Sequence, residues 1–277
     1  MSFSLIVLTD LDASLLDHFD YSFTAAGPAL MRLRETGVPL VLNSSKTMAE
    51  LLAIREQLQL NEPFIVENGA GLFVPEGKNL REYSLGMNRA ELLPIIHELR
   101  KRHDFKFTGF ADMSPAQLVE HTGLGLAEAR LAQQRQFSEA ILWQDSDAQL
   151  EHFDSMLQAN HLALIRGGRF WHISAKADKG SFIPDLRHYY RERLAGEVTL
   201  IALGDSDNDL PMLAQADYPV LIKSPVKPFP AFEHPALRKT EACGPEGWNQ
   251  AVLELLQDLQ ELDPAQADTS KGDAEHG

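Results

Sequence analysis

The run Leu5-Ile6-Val7-Leu8-Thr9-Asp10-Leu11-Asp12 constrains the fold of this chain more than any other stretch. A short, unbroken apolar segment suits a strand buried on both faces, as in a parallel sheet covered by helices. Its carboxyl end carries two aspartates, at the edge where open α/β sheets bind ligands. Side chains at i and i+2 of a strand point the same way, so extended geometry crowds these two charges. Such crowding is unfavourable unless a cation or ligand offsets it.

The same design recurs. Val38-Pro39-Leu40-Val41-Leu42 runs into Asn43-Ser44-Ser45-Lys46-Thr47, and Val198-Thr199-Leu200-Ile201-Ala202-Leu203 runs into Gly204-Asp205-Ser206-Asp207-Asn208-Asp209. Phe64-Ile65-Val66 is a third buried strand, turned by Glu67-Asn68-Gly69-Ala70-Gly71. Between them the pattern predicts helices. One spans 26–36 with Leu30, Met31 and Leu33 inward and Gly37 as its stop. A second follows the capping-box pattern Thr47 to Glu50, with Met48, Leu51, Leu52 and Leu58 on its apolar face. Others span 179–194 and 248–262. Strand–helix alternation of this kind builds a doubly wound parallel sheet.

From about residue 85 the pattern changes. A helical stretch near 90–102, an alternating segment at 105–110, a Ser114-Pro115 helix start and a Gly167-Gly168 hairpin signal predict an inserted α+β unit with an antiparallel sheet. The expected organisation is therefore a core of residues 1–84 and 176–262, a cap of 85–175 and a disordered tail of 263–277.

The net charge of −15 argues against a nucleic-acid groove, which needs clustered Lys and Arg. It leaves room for an anionic small molecule, because charge in a cleft can oppose the net charge. The N-terminus has no basic region followed by an apolar core, and no stretch approaches the roughly 18 apolar residues of a membrane span. The lone Cys243 forms no internal disulfide. The expectation is a cytoplasmic protein without a nucleic-acid or membrane partner; its oligomeric state is left open.

In a parallel sheet, Asp10 and Asp12, Ser44, and Asp205 to Asp209 share one edge, and Lys179 is within reach of it. Several carboxylates in one crevice suit a hard divalent cation such as Mg²⁺. One further carboxylate can serve as nucleophile and another as acid–base. Asp10-Leu11-Asp12-Ala13-Ser14, Ser44, Lys179 and Gly204-Asp205-Ser206-Asp207-Asn208-Asp209 resemble the four ordered motifs of the haloacid dehalogenase-like phosphatases. The family's usual Gly-Thr after the second aspartate is here Ala13-Ser14. More narrowly, Asp17-His18-Phe19-Asp20-Tyr21-Ser22, Ser44-Ser45-Lys46-Thr47, Glu67-Asn68-Gly69-Ala70, Arg169-Phe170-Trp171-His172 and Gly244-Pro245-Glu246-Gly247-Trp248 look like the mannosyl-3-phosphoglycerate phosphatases.

That resemblance implies the following roles. Asp10 attacks phosphorus, and Asp12 protonates the leaving oxygen and then activates water. Mg²⁺ is held by Asp10, the backbone carbonyl of Asp12 and Asp205, while Asp209 orients metal-bound water or Lys179. Ser44 and Lys179 hold the phosphoryl group. The implied partner is a small phosphorylated sugar-glycerate. Its carboxylate calls for Arg169 or Lys46, and its hydroxyls for Asn43, Glu67, Asn68 or His172. Taken alone, Lys46 is as much a helix-capping charge, Arg169 a hairpin charge, and His172 a packed or exposed strand residue. Two alternatives stay open: a broader sugar phosphatase or phosphomutase of the same superfamily, and a phospho-accepting signalling module that does not turn over.

Overall fold

The computed structural model describes residues 4–262 apart from 168 and 195, so the expected tail lies outside the described residues. In chain order the elements are β1 (Ser4–Thr9), α1 (Gly27–Thr36), β2 (Leu40–Asn43), α2 (Met48–Gln57), β3 (Phe64–Val66), β4 (Gly71–Glu76), β5 (Asn79–Ser84) and α3 (Arg89–His103). Then come β6 (Phe107–Gly109), α4 (Pro115–Thr122), α5 (Leu126–Ala132), β7 (Ser138–Trp143), α6 (Asp147–Ala159), β8 (Leu162–Arg166) and β9 (Trp171–Ala175). The chain closes with α7 (Ile183–Leu194), β10 (Val198–Gly204), α8 (Leu210–Leu213), β11 (Tyr218–Lys223), β12 (Arg238–Cys243) and α9 (Gly244–Leu262). The chain divides into two units, the described parts of Met1–Leu42 with Phe182–Gly277, and Asn43–Ser181.

The first unit carries parallel strands in the order β12-β11-β10-β1-β2. Ile6, Val7 and Leu8 are fully buried, as are Ile201, Ala202 and Leu203 on the neighbouring strand. Burial on both faces is what an unbroken apolar run requires. The amphipathic helix α9 packs on β11, β12 and α1. Its Trp248 is wholly buried, and the indole Nε1 donates to Thr9 Oγ1 at 2.9 Å. That hydroxyl donates in turn to the Asp10 carbonyl at 2.7 Å. In α1, Leu33 is inward as expected, but Met31 is solvent-exposed; Ala29 takes the buried position instead. Met31 is two residues from both Ala29 and Leu33, about 200° round the helix from each at 3.6 residues per turn, so it falls on the opposite face.

In the second unit, β3, β4 and β5 form an antiparallel series, and β6-β7-β9-β8 form a separate antiparallel sheet. Helices α3 and α6 bury Leu92, Ile96, Leu99, Phe153 and Leu157 in one cluster with Phe107, Ile141 and Ile173 of that sheet. A second cluster joins Leu118 and Ala129 of the short helices α4 and α5 to Ala140. The Thr47 capping box forms in full: its hydroxyl accepts from Glu50 N, and Glu50 returns to Thr47 N.

Two strands escaped the sequence pattern. β5 is largely exposed and β12 mostly half-buried, and both are polar, so neither carries an apolar alternation. They are held by backbone pairing, β5 through the two-residue turn at Gly77-Lys78 and β12 as an edge. Helix α7 begins at Ile183, not at Lys179, which lies in the preceding turn. Pro184 thereby falls in the first turn, where its missing N–H costs nothing.

His172 pairs across the sheet with Ala140 and Ile165. Burial first, then the charges of Arg135 and Lys179, push its pKa down to about 3. The folded chain therefore keeps this imidazole neutral while the unfolded chain protonates it below about 6.5. Stability from this group falls as pH drops from about 6.5 towards 3. His172→Gln is expected to flatten that part of the profile. Urea unfolding of both proteins between pH 7 and 4 checks it, the difference between them shrinking as pH falls.

Candidate active site

In the first unit, parallel pairing of β1 with β10 brings Thr9 opposite Leu203, and Asp10 N donates to the Leu203 carbonyl at 2.9 Å. The residues that follow both strands therefore emerge together. Asp10, Asp205 and Asp209 are all buried, with carboxylate oxygens within 4.8 Å of one another. At that separation two full charges repel by roughly 3 kcal/mol even at an effective dielectric constant of ~20. Part of the charge is answered by the backbone: Asp209 Oδ2 accepts from the amides of Asp205 and Ser206, both at 3.0 Å. Lys227 Nζ also approaches Asp205 Oδ2, at 3.9 Å. The donor set is all oxygen, without sulfur or imidazole, and fits a hard divalent cation.

Asp12 lies outside that cluster, in a tight turn where the amides of Ser14 and Leu16 both donate to the Leu11 carbonyl. Ala13 occupies the left-handed region with φ of 60° and is buried. A glycine would hold this conformation without strain, whereas the alanine methyl costs on the order of 1 kcal/mol. Ser14 is fully buried.

In the second unit, Ser44 and Lys179 are also buried. Asn43 Nδ2 donates to the Lys179 carbonyl at 2.7 Å, tying the end of β2 to the turn that carries the lysine. The Glu67-Asn68-Gly69 turn runs entirely at positive φ. A Cβ on Gly69 would sit 1.8 Å from the Asp178 carbonyl, so only glycine allows this approach. Asn68 N donates to the Ser44 carbonyl, and Ser44 Oγ accepts from Lys46 N at 3.2 Å. Asn43, Ser44, Asn68 and Lys179 are thus drawn together by bonds that end on main-chain carbonyls. Lys46 is half-buried beside them. Arg169 is exposed, and its Nη1 donates to the His121 carbonyl at 2.9 Å.

Glu67 departs from the expectation of a sugar-hydroxyl partner. Its buried oxygens accept from Gln136 N, Phe137 N and Ser138 Oγ. Lys227, beside Asp205, carries no motif in the sequence. The available signal was its place in the loop after β11, a strand parallel to β10. Arg135 was also passed over, because a lone arginine between two helical and strand-like runs carries no local mark of burial.

A family model described as haloacid dehalogenase-like hydrolase matches residues 7–115. A glucosyl-3-phosphoglycerate/mannosyl-3-phosphoglycerate phosphatase of Methanococcoides burtonii is 36% identical over 264 residues, 91% of this chain and 97% of that protein. The chain belongs to the haloacid dehalogenase-like hydrolases. A protein of Persephonella marina with the same description is 36% identical over 92% of this chain and 98% of its own length. Among solved structures, a haloacid dehalogenase-like hydrolase from Bacteroides thetaiotaomicron aligns with a TM-score of 0.65, covering 92% of this chain and all of the other, at 18% identity. That likeness concerns the fold alone. With phosphatase relatives aligned along nearly its whole length, the chain is a phosphoric monoester hydrolase. Among the described residues no helix is long and apolar enough to cross a membrane.

Gly204 makes the acidic cluster possible. A Cβ there would sit 2.5 Å from Cβ and Cγ of Asp209. Gly204→Ala is expected to displace Asp209 and weaken divalent-cation binding on the order of tenfold, as losing a supporting contact at a metal site does. Calorimetric titration with Mg²⁺ or Mn²⁺ measures this; an unchanged affinity would show that the position of Asp209 does not matter to the cation.

Proposed function

We propose that this hydrolase cleaves mannosyl-3-phosphoglycerate to mannosylglycerate and phosphate, with Mg²⁺, through an aspartyl-phosphate on Asp10. The observation that carries the chemistry is the buried cluster of Asp10, Asp205 and Asp209. The substrate follows from two relatives, each 36% identical over nearly the whole chain, whose names specify this ester and its glucosyl counterpart.

A carboxylate oxygen of Asp10 attacks phosphorus, and the bond to the glycerate oxygen breaks. Asp12 gives its proton to that oxygen, so a neutral hydroxyl leaves. Asp12 then accepts a proton from the water that attacks the phosphorylated Asp10, restoring the carboxylate and releasing phosphate. Asp10, the Asp12 carbonyl and Asp205 would hold Mg²⁺, with Asp209 orienting the group. When bound, Mg²⁺ supplies positive charge against the phosphoryl oxygens. Ser44 and Lys179 serve those same oxygens by hydrogen bonding and charge. Arg169 and Lys46 answer the glycerate carboxylate, and Asn68 a sugar hydroxyl. A guanidinium fork fits a carboxylate better than an ammonium does.

Phosphate release from the mannosyl ester, the glucosyl ester, hexose phosphates and p-nitrophenyl phosphate tests the substrate. The mannosyl ester should give the highest kcat/KM, and chelation of Mg²⁺ should stop all of them. Preference for simple hexose phosphates would defeat the narrow assignment. Asp10→Asn should lower turnover by several powers of ten, each factor of ten being about 1.4 kcal/mol. Near wild-type release by that variant would rule out the covalent route. Arg169→Lys should raise KM for the glycerate-bearing ester more than for p-nitrophenyl phosphate; equal losses would leave Arg169 with a structural role only.

A further inference from the structure

Three successive carbonyls follow the end of β2, and each has a dedicated donor. Asn68 N donates to Ser44 O at 3.0 Å, and Glu67 N donates to Lys46 O at 3.0 Å. The middle one, Ser45 O, accepts from Nη2 of Arg135 at 3.0 Å, from ninety residues away. Arg135 is nearly sealed from solvent, its side chain 3% exposed beside the fully buried carboxylate of Glu67, with Nε 3.6 Å from Glu67 Oε2. Ser138 bridges the two: its Oγ accepts from Arg135 Nε at 2.9 Å and donates to Glu67 Oε2 at 2.5 Å. Glu67 also accepts from the amides of Gln136 and Phe137, at 2.7 and 3.2 Å. Thr47 Oγ1 adds a bond to the Leu131 carbonyl at 3.0 Å.

A buried ion pair is a poor way merely to stabilise a fold, because desolvation cancels most of its attraction. Its strength is geometric. A planar guanidinium fixed by a carboxylate and a hydroxyl aims its remaining nitrogen in one direction. Here that direction ends on the Ser45–Lys46 peptide, whose N–H donates to Ser44 Oγ at 3.2 Å, so that the serine keeps its own O–H for donation. We infer that Arg135, clamped by Glu67 and Ser138, is a positioning residue for Ser44, holding its hydroxyl in the orientation that serves the phosphoryl group. The inference rests on the role given to Ser44 under the proposed function. It assigns a task in the reaction to residues 135–138 and to the acid of the Glu67 turn.

Arg135→Lys keeps the charge beside Glu67 but loses the fork that reaches Ser138 and Ser45 together. A double-mutant cycle with Ser44→Ala, on p-nitrophenyl phosphate with Mg²⁺ well below the melting temperature of every variant, isolates positioning from stability. Arg135→Lys is expected to lower kcat by about tenfold with KM within about twofold, the pattern of an interaction made in the transition state. In the Ser44→Ala background the same substitution should change kcat by less than about twofold, because the group it positions is gone. Ser138→Ala, a milder change that leaves both charges in place, should repeat the result with a loss of about threefold. It serves in place of Arg135→Lys if that variant does not fold. Losses that multiply in the double variants, or a lower melting temperature with unchanged kcat, overturn the inference while leaving the role of Ser44 intact. Unchanged kcat in Ser44→Ala alone overturns the role of Ser44, and the inference with it.

Discussion

Mutual repulsion among three buried carboxylates is the constraint around which the first unit is arranged. Asp10, Asp205 and Asp209 are brought within 4.8 Å by parallel pairing of β1 with β10 and by the turn that follows β10. No fold concentrates charge this way for stability. The surrounding structure compensates locally, with two backbone amides on Asp209 and the ammonium of Lys227 near Asp205. The hydrogen-bond relay from Trp248 through Thr9 to the Asp10 carbonyl fixes the first aspartate from behind. Strain accepted at Ala13 belongs to the same pattern, since functional turns often hold residues in sparsely populated conformations.

The second unit solves a different problem, that of holding neutral and cationic groups with main-chain atoms. Asn43 holds the Lys179 carbonyl, and Gly69 lets the Glu67-Asn68-Gly69 turn close onto Asp178. These bonds end on main-chain atoms, and around them Ser44 and Lys179 are buried in place. Glu67 illustrates how misleading a polar residue in a turn can be. Its carboxylate caps the amides at 136 and 137 and balances Arg135. That makes it part of the frame around Ser44, where a sugar ligand had been expected.

Belonging to a large hydrolase family does not by itself specify a substrate, because one fold hosts many reactions. What narrows this chain is relatives matched over nearly its full length together with an all-oxygen acidic cluster.

The buried strands were legible because burial on both faces demands unbroken apolar runs, and Leu5 to Thr9 and Val198 to Leu203 can do little else. The aspartates and the serine were legible because each directly follows such a run, at the ligand-binding edge of a parallel sheet. Capping at Thr47 and the stop at Gly37 were legible because their chemistry is local. Strands β5 and β12 were not, since polar edge strands are held by backbone bonds that leave no mark on residue type. Nor were Arg135 and Lys227, whose partners lie far along the chain. The sequence by itself determined which residues can bear the chemistry. Only the tertiary structure decided which of them meet and which merely support, because burial and long-range pairing depend on contacts between residues that sequence order keeps apart.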